Sequence, residues 1–140
     1  MWHKKNIELC PRTTSLLKKI KSVKSAYFSI LAPGKHIPPH KGPYKGIMRY
    51  QLAISVPKKG ECKILVDGIP YYWKEGKSVL FDDTYTHEVI NNTAEHRVAL
   101  LLDIKRRIPG FFMRQYDCFV FALIQFMVIL NNTFGKSEMK

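Results

Sequence analysis

The chain is poor in cysteine and in acidic residues, and it has no uninterrupted apolar run of membrane-spanning length. Its three cysteines, Cys10, Cys62 and Cys118, are odd in number, far apart and free of any CxxC pair. Neither a zinc ribbon nor the disulfide framework of small secreted domains is therefore supported. We expect a reducing, cytoplasmic location, and the charged first residues, with no apolar segment behind them, do not predict a secretory signal.

Acidic residues are scarce: 11 Asp and Glu stand against 23 Lys and Arg, which gives a formal net charge of +12. The excess is concentrated between Lys4 and Lys24, where Glu8 is the only acid. Such a balance indicates an anionic partner, which is nucleic acid, an acidic lipid surface or a small acidic substrate. No basic motif interleaved with aromatic residues and no recognition-helix pattern occurs, so we expect no nucleic-acid partner.

The spacing of apolar residues predicts a mainly β domain, and 140 residues fit one core. Residues Thr13–Val23 predict a short N-terminal helix that Thr13 or Thr14 caps. From Ser25 onward the apolar period becomes two, as in the strands of a β-barrel or sandwich. Asp67-Gly68 is the clearest hairpin turn. The predicted strand segments are 25–31, 47–56, 62–68, 71–76, 78–83 and 96–104.

The chain changes in character after Asp103, where the basic cluster 105–107 precedes the apolar run Cys118–Leu130. This run is shorter than the roughly 20 residues that a membrane-spanning helix needs. It predicts an apolar C-terminal helix that either packs on the β-barrel or lies in the interface of an anionic membrane. We therefore divide the chain into a domain of residues 1–108 and a tail of residues 109–140, with peripheral contact to the inner face of a membrane.

Two histidines lie where turns meet strands. His40 follows Pro38-Pro39, which hold the backbone extended, and His87 follows the end of an apolar strand. Histidines from separate strands can meet at the mouth of a small β-barrel, where such barrels bind ligands. The pair is a candidate metal site, although a single histidine in such a position more often has a structural role.

Arg49 and Arg97 each interrupt an otherwise apolar strand. A buried guanidinium requires an acidic partner, because an unpaired buried charge is very costly. One interpretation is a structural ion pair with a nearby carboxylate. The other is a small anionic cosubstrate that an arginine binds and that chelates iron beside the histidines. The carboxylates near these strands are Asp82, Asp83, Glu88 and Glu95.

Two segments together resemble the aspartyl/asparaginyl β-hydroxylase family: FSILAPGKHIPPHKGPYKGIMRYQLAI (28–54) and VLFDDTYTHEVINNTAEHRVALLLDI (79–104). The similarity extends from about residue 10 to residue 103. It implies a double-stranded β-helix, that is, a jelly-roll or cupin-like barrel. It also implies Fe(II), 2-oxoglutarate and O2 as cofactor and cosubstrates, with 2-oxoglutarate converted to succinate and CO2. The reaction would hydroxylate an unactivated C–H bond of a lipid A-like lipid or of a peptidyl Asp or Asn.

The same resemblance assigns the metal ligands. It implies that His40 and His87 are catalytic iron ligands. Common non-haem iron triads add a carboxylate, but Gly42 stands two residues after His40, and the family also lacks that acid. Asp83, four residues before His87, is a candidate for ordering a water at the iron.

The resemblance also assigns the cosubstrate contacts. Arg97 would pair with the distal carboxylate of 2-oxoglutarate, Ser29 would hydrogen-bond the same end, and Arg49 would line the pocket. Where the family usually has a second histidine, this chain has Gln51, which can donate a hydrogen bond but cannot carry positive charge. An alternative is therefore a non-catalytic β-barrel binding module that keeps the fold but has lost turnover.

The charge pattern favours a lipid-type substrate over a peptide. The basic first residues, the cluster 105–107 and the apolar tail all suit an anionic lipid surface. The carboxylate of a peptidyl aspartate would also be drawn to this charge, so a peptide substrate stays open.

Overall fold

Eight β-strands and three α-helices make up the described part of the chain, residues 4–107 and 109–134 of a computed structural model. In chain order they are α1 (Lys4–Leu9), α2 (Pro11–Lys18), β1 (Val23–Leu31), β2 (His36–His40), β3 (Ile47–Ser55), β4 (Glu61–Val66), β5 (Ile69–Tyr72), β6 (Ser78–Phe81), β7 (His87–Asn92), β8 (Arg97–Lys105) and α3 (Phe111–Phe134).

The strands form two four-stranded antiparallel sheets, in the orders β1-β8-β3-β6 and β2-β7-β4-β5. These are the strand orders of a jelly roll, so the prediction of a mainly β fold is confirmed. Alternate residues of each strand point to opposite faces, and the inner faces enclose a core. This core includes Leu31, Ala53, Ile64, Trp73 and Val89, all less than 9% exposed.

The N-terminal helical region differs from the predicted helix Thr13–Val23. Helix α2 begins at Pro11, because proline fits the first helical position, where its missing N–H costs nothing. Thr14 is buried within the helix and does not cap it. The helix ends at Lys18, and Val23 belongs to β1, whose extended pairing with β8 prevails over the helical pattern.

The strand prediction is right to within two residues at each end for β1, β3, β4, β6 and β8. It is displaced for β5, which spans Ile69–Tyr72 and not residues 71–76, and it missed β2 and β7. The Pro38-Pro39 pair in β2 is unusual inside a strand, and the Asn91-Asn92 pair in β7 is typical of a turn. Pairing between β2 and β7 places both in the second sheet. The predicted hairpin is confirmed: Asp67 (φ 51°) and Gly68 (φ 78°) join β4 to β5 in left-handed conformations that suit a tight turn.

The chain divides into two compact units, Met1–Arg106 and Arg107–Lys140. The second contains α3, and residues 135–140 of the predicted tail lie outside the described part. Exposed apolar side chains recur along α3 at helical spacing: Tyr116, Phe119, Leu123, Phe126 and Met127. In the part of the chain that the structure describes, no helix has both the length and the apolar character to cross a membrane.

Candidate metal and cosubstrate site

The two histidines singled out in the sequence lie side by side. His40, the last residue of β2, is the direct antiparallel partner of His87, the first residue of β7. Their ring centroids are 4.2 Å apart, with a tilt of 52° between the ring planes. The β2–β7 pairing, which the sequence did not reveal, is what brings the two imidazoles together.

Hydrogen bonds fix the tautomer of both rings. Nδ1 of His40 lies 2.9 Å from the carbonyl oxygen of Pro38, and Nδ1 of His87 lies 2.9 Å from that of Tyr85. A carbonyl oxygen can only accept, so in the neutral form of each ring Nδ1 carries the proton and Nε2 keeps its lone pair. Among the described residues nothing hydrogen-bonds either Nε2. The strand register therefore provides two oriented imidazoles, each of which in its neutral form offers Nε2 to a metal.

The surroundings of His87 favour its uncharged form. Its side chain is buried, and the ring of Phe81 meets it edge-on at 5.2 Å between centroids. Burial lowers the pKa of His87, the backbone contact to Tyr85 opposes that shift, and neighbouring His40 lowers the pKa further. His40 is exposed, so the pair has one buried and one accessible ring, as at a cavity mouth.

Asp83 fills the space next to Gly42. A Cβ placed on Gly42 would overlap the Asp83 carboxylate, and the Gly42 N–H donates to the Asp83 carbonyl oxygen at 2.6 Å. The position at which a triad carboxylate would begin is thus closed to a side chain from residue 42. Asp83 is 4% exposed, and its Oδ1 has no hydrogen-bond partner among the described residues. That oxygen is a free acceptor on a loop that leads into His87.

Arg49 is fully paired within the protein. Its guanidinium lies 3.1 Å from Asp83 and 3.2 Å from Asp103, and it also donates to the hydroxyl of Tyr27. Burial alone would lower the pKa of Arg49, but Asp103, Tyr27 and Asp83 together raise it. For Arg49 the structural ion pair considered above is therefore present. Its second acid, Asp103, was not among the predicted partners.

Arg97 differs, since no carboxylate of the described residues pairs with it. It is 1% exposed, its Nη1 donates to Ser29 Oγ at 3.3 Å, and its Cζ lies 5.1 Å from the centre of the Trp73 ring. Burial lowers the pKa of Arg97, with the Cys62 thiol opposing the shift. Arg97 Nε and Trp73 Nε1 are both buried donors without an acceptor in the described part of the chain. These two donors, one of which belongs to the buried cation itself, suit a bound carboxylate.

Gln51 lies between the two arginines on the inner face of the first sheet. Along β3 the residues Arg49, Gln51 and Ala53 share that face. Gln51 is 5% exposed, and its Oε1 has no partner among the described residues. Rotating the amide would present its NH2 group at the same place. The side chain therefore keeps a hydrogen-bonding group available to a ligand.

The predicted site residues fall into two groups. One contains the histidine pair, Asp83 and Arg49; the other contains Arg97 and Ser29. Arg49 pairs with Asp103 at one end of β8 and Arg97 lies at the other end, so their backbones are on the order of 20 Å apart by the strand rise. The two guanidinium groups therefore belong to different parts of the site.

Three residues at this site were not singled out in the sequence: Tyr27, Trp73 and Asp103. A signal existed for Asp103, because an acid in an apolar strand needs a cation as much as Arg49 needs an acid. Within the described residues, no group of three or more His, Cys, Asp or Glu side chains could hold a metal ion. The candidate ligand set is thus the histidine pair, which leaves the remaining coordination positions to water or to a ligand.

The fold and this site define a class, a jelly-roll protein with a histidine pair and a buried arginine. The model of the family described as aspartyl/asparaginyl beta-hydroxylase matches residues 1–107, and the chain belongs to this family.

Curated relatives agree with that membership. The chain is 44% identical over 106 residues to an ornithine lipid ester-linked acyl 2-hydroxylase of Rhizobium tropici. The aligned residues cover 75% of this chain and 38% of the relative. It is 34% identical over 109 residues to the aspartyl/asparaginyl beta-hydroxylase of Mus musculus, which covers 72% of this chain and 15% of the relative. The chain thus spans well under half of the length of either protein.

Solved structures with a similar arrangement of strands include a Cupin_2 domain of an XRE family transcriptional regulator from Enterobacter cloacae. It is 22% identical, covers 59% of this chain and 81% of that chain, and has a TM-score of 0.49. A predicted oxalate decarboxylase from Thermotoga maritima is 17% identical, covers 66% and 74% of the two chains, and also has a TM-score of 0.49.

Proposed function

We propose that the protein is an Fe(II)- and 2-oxoglutarate-dependent dioxygenase that hydroxylates an unactivated C–H bond of a lipid-type substrate. The observation that carries this proposal is the buried guanidinium of Arg97. It lies in the same barrel as the histidine pair and has no acid partner among the described residues. An uncompensated buried charge destabilises the fold, so the Arg97 guanidinium needs an anionic partner. A bound carboxylate removes that cost.

The residues present fit both iron and 2-oxoglutarate. The Nε2 atoms of His40 and His87 are the donors for iron, and neutral imidazole is a suitable ligand for it. Asp83 Oδ1 has no hydrogen-bond partner among the described residues and would accept a hydrogen bond from a water at that metal. When bound together, iron, 2-oxoglutarate and O2 supply the conversion of a C–H bond to an alcohol, with succinate and CO2 as the other products.

The chain's own contribution is binding, orientation and charge compensation. Arg97, with the Ser29 hydroxyl, holds the distal carboxylate of 2-oxoglutarate by charge-assisted hydrogen bonds. The Trp73 ring keeps the guanidinium in place from one side and excludes water. The Arg49 guanidinium lines the pocket at the metal end, where Asp83 and Asp103 hold it in a fixed orientation.

A lipid substrate is favoured over a peptidyl Asp or Asn. Identity to the acyl 2-hydroxylase is 44%, against 34% for the aspartyl/asparaginyl enzyme over a similar stretch. The formal net charge of +12 suits an anionic lipid surface.

The second candidate, a binding module without turnover, is favoured by Gln51 alone. Where family members usually carry a histidine, the glutamine has no charge to share with a carboxylate. Iron-dependent release of succinate from 2-oxoglutarate separates the two candidates, because a binding module would bind the acid and release no product.

The metal site is tested by titration with Fe(II), or with Co(II) as a stable substitute. We expect His40→Ala and His87→Ala to abolish stoichiometric binding while circular dichroism shows a folded barrel. His96→Ala is the matched control, since His96 is exposed and lies outside the site. Full metal retention in the His40→Ala protein would contradict the assignment.

A further inference from the structure

A second cavity lies away from the histidine pair. A groove of about 400 Å³ runs between helices α1 and α2 and strand β1. This volume is within the range of small-molecule sites, about 300–1,000 Å³. Its wall is mainly apolar, and neither histidine of the pair lines it. The apolar side chains that line it are Ile7, Leu9, Leu17, Ala26, Phe28 and Leu100.

The groove follows the free edge of β1. Consecutive residues from Lys24 to Phe28 all line it, although alternate residues of a strand point to opposite faces of the sheet. Residues of both sets line the cavity, and β1 is an edge strand of its sheet, so the cavity lies at the strand edge. The groove therefore extends from the helix-covered outer face to the free edge of β1.

Two residues connect the groove to the candidate site. Tyr27 lines the groove, and its hydroxyl accepts a hydrogen bond from Arg49. Ser25 also lines the groove, and its hydroxyl donates to Asp103, which pairs with the same Arg49. Two residues that line the groove are thus hydrogen-bonded to the ion pair of Arg49 and Asp103.

We infer that this groove binds the acyl chain of the lipid substrate, an inference that rests on the function proposed above. An apolar wall suits methylene groups, which carry no hydrogen-bonding atoms. The exposed ammonium of Lys24 at the groove suits an anionic lipid headgroup. A chain bound here lies along β1, whose Ser25 is level with Asp103 and Arg49 at the metal end of the pocket. The groove therefore selects a long apolar chain and holds its headgroup end beside the metal end of the pocket.

The test is binding without turnover, on the full-length, metal-free protein. Monomeric lysophosphatidylglycerols with hexanoyl, octanoyl, decanoyl and dodecanoyl chains are titrated by calorimetry below their micelle-forming concentrations. We expect the affinity to rise about fourfold with each added methylene until the groove is filled. Affinity that does not depend on chain length overturns the inference.

Two groove variants and one control locate the binding. Ala26→Phe, which fills the groove, and Phe28→Ser, which makes its wall polar, should each weaken dodecanoyl binding at least tenfold. Leu80→Phe is the control, because Leu80 is an exposed apolar residue on β6, at the opposite edge of the same sheet. Equal binding by wild type and both groove variants overturns the inference, as does equal loss in the control.

One more variant separates this inference from the proposed function. His40→Ala should keep dodecanoyl binding, because the groove is not lined by either histidine. Loss of acyl binding in that variant would place the chain in the metal cavity and overturn the groove assignment. Absence of succinate release with acyl binding intact would instead contradict only the proposed function. Displacement of the lipid by an extended peptide but not by a fatty acid would show that the β1 edge binds a strand, and would also overturn it.

Discussion

Arg97 and Arg49 lie on the inner face of one sheet, and their surroundings differ in charge. Arg49 has two carboxylates and a phenol within reach, so its charge is balanced without a ligand. Arg97 has a serine hydroxyl and an aromatic ring but no acid among the described residues. A dicarboxylate therefore gains more from Arg97 than from Arg49, which would have to give up existing bonds.

Replacing Arg97 by lysine tests this difference. A lysine cannot reproduce the planar, bidentate geometry of a guanidinium on a carboxylate. We expect Arg97→Lys to raise the 2-oxoglutarate concentration needed for half-maximal turnover by roughly 10- to 150-fold, equivalent to about 1.5–3 kcal/mol. Arg12→Lys, at an exposed position, should leave it unchanged. Unchanged cosubstrate dependence in both variants would show that Arg97 has only a structural role.

At the scale of single residues, the sequence indicated candidate site residues but not how they pair. His40, His87 and Asp83 were identified because their residue types and spacing match a known motif. The Asp103 partner of Arg49 was missed, because β-sheet register joins residues far apart in the chain and sequence spacing does not show it. A buried charge predicts that a partner exists but not which residue it is.

At the scale of elements, β2 and β7 matter most for the site and were the hardest strands to predict. Both are short and polar, and they take their strand geometry from pairing with each other and from β4. Local preference is weak in such segments, and tertiary context decides. The apolar segments were predicted well because burial of one face imposes a period of two.

Asn91 holds the far end of β7 in place. It is fully buried, its Nδ2 donates to the carbonyl oxygens of Leu31, Ala32 and Glu95, and its Oδ1 accepts from the Thr93 hydroxyl. These bonds tie the end of β1 to the turn between β7 and β8. The side chain therefore satisfies several buried carbonyl groups at once.

Asn91→Ala should lower the free energy of unfolding by about 2–3 kcal/mol, because buried carbonyl groups would lose their donors. The neighbouring Asn92 is exposed, so Asn92→Ala should change it by less than about 0.5 kcal/mol. Urea unfolding of the metal-free proteins measures both values. Similar small effects in the two variants would mean that water replaces the Asn91 amide.

The loop before His87 is anchored by Asp82. Its Oδ1 accepts from the N–H and hydroxyl of Thr84, and its Oδ2 pairs with Arg106. Burial alone would raise the pKa of Asp82, but the Thr84 and Arg106 contacts prevail and lower it. A carboxyl with a lowered pKa in the folded state adds stability that is present above its unfolded pKa of about 3.9 and is lost as the pH falls below that value.

Asp82→Asn should therefore reduce stability at neutral pH by about 1–2 kcal/mol. It should also flatten the fall in stability between roughly pH 5 and pH 2. Thermal unfolding across that range measures the slope, with the exposed Glu95→Gln as control. The same slope in wild type and Asp82→Asn would show that other carboxylates govern acid unfolding.

At the scale of the whole molecule, charge and exposed apolar surface occur together. The chain carries a formal net charge of +12, and α3 exposes Phe119 and Leu123 among other apolar side chains. A helix with exposed apolar side chains next to basic residues is suited to lie on an anionic membrane. A lipid-modifying enzyme on such a surface would meet its substrate in the plane of the membrane.

We therefore predict peripheral association with anionic membranes. Each Lys or Arg near such a surface contributes about 1 kcal/mol, and salt screens that attraction. Co-sedimentation with phosphatidylglycerol-containing vesicles at low salt should carry the full-length protein into the pellet, and high salt or purely zwitterionic vesicles should release it. Truncation after Gly110 should weaken binding, and the double variant Phe119→Ser, Leu123→Ser should weaken it while keeping every charge.

If the double variant binds as well as wild type and the truncated protein does not, the apolar face of α3 does not enter the membrane and the basic residues of the tail hold the protein there. If full-length protein stays in the supernatant on anionic vesicles at low salt, the tail has another role, and the preference for a lipid substrate rests on the acyl groove and on the similarity to the acyl 2-hydroxylase.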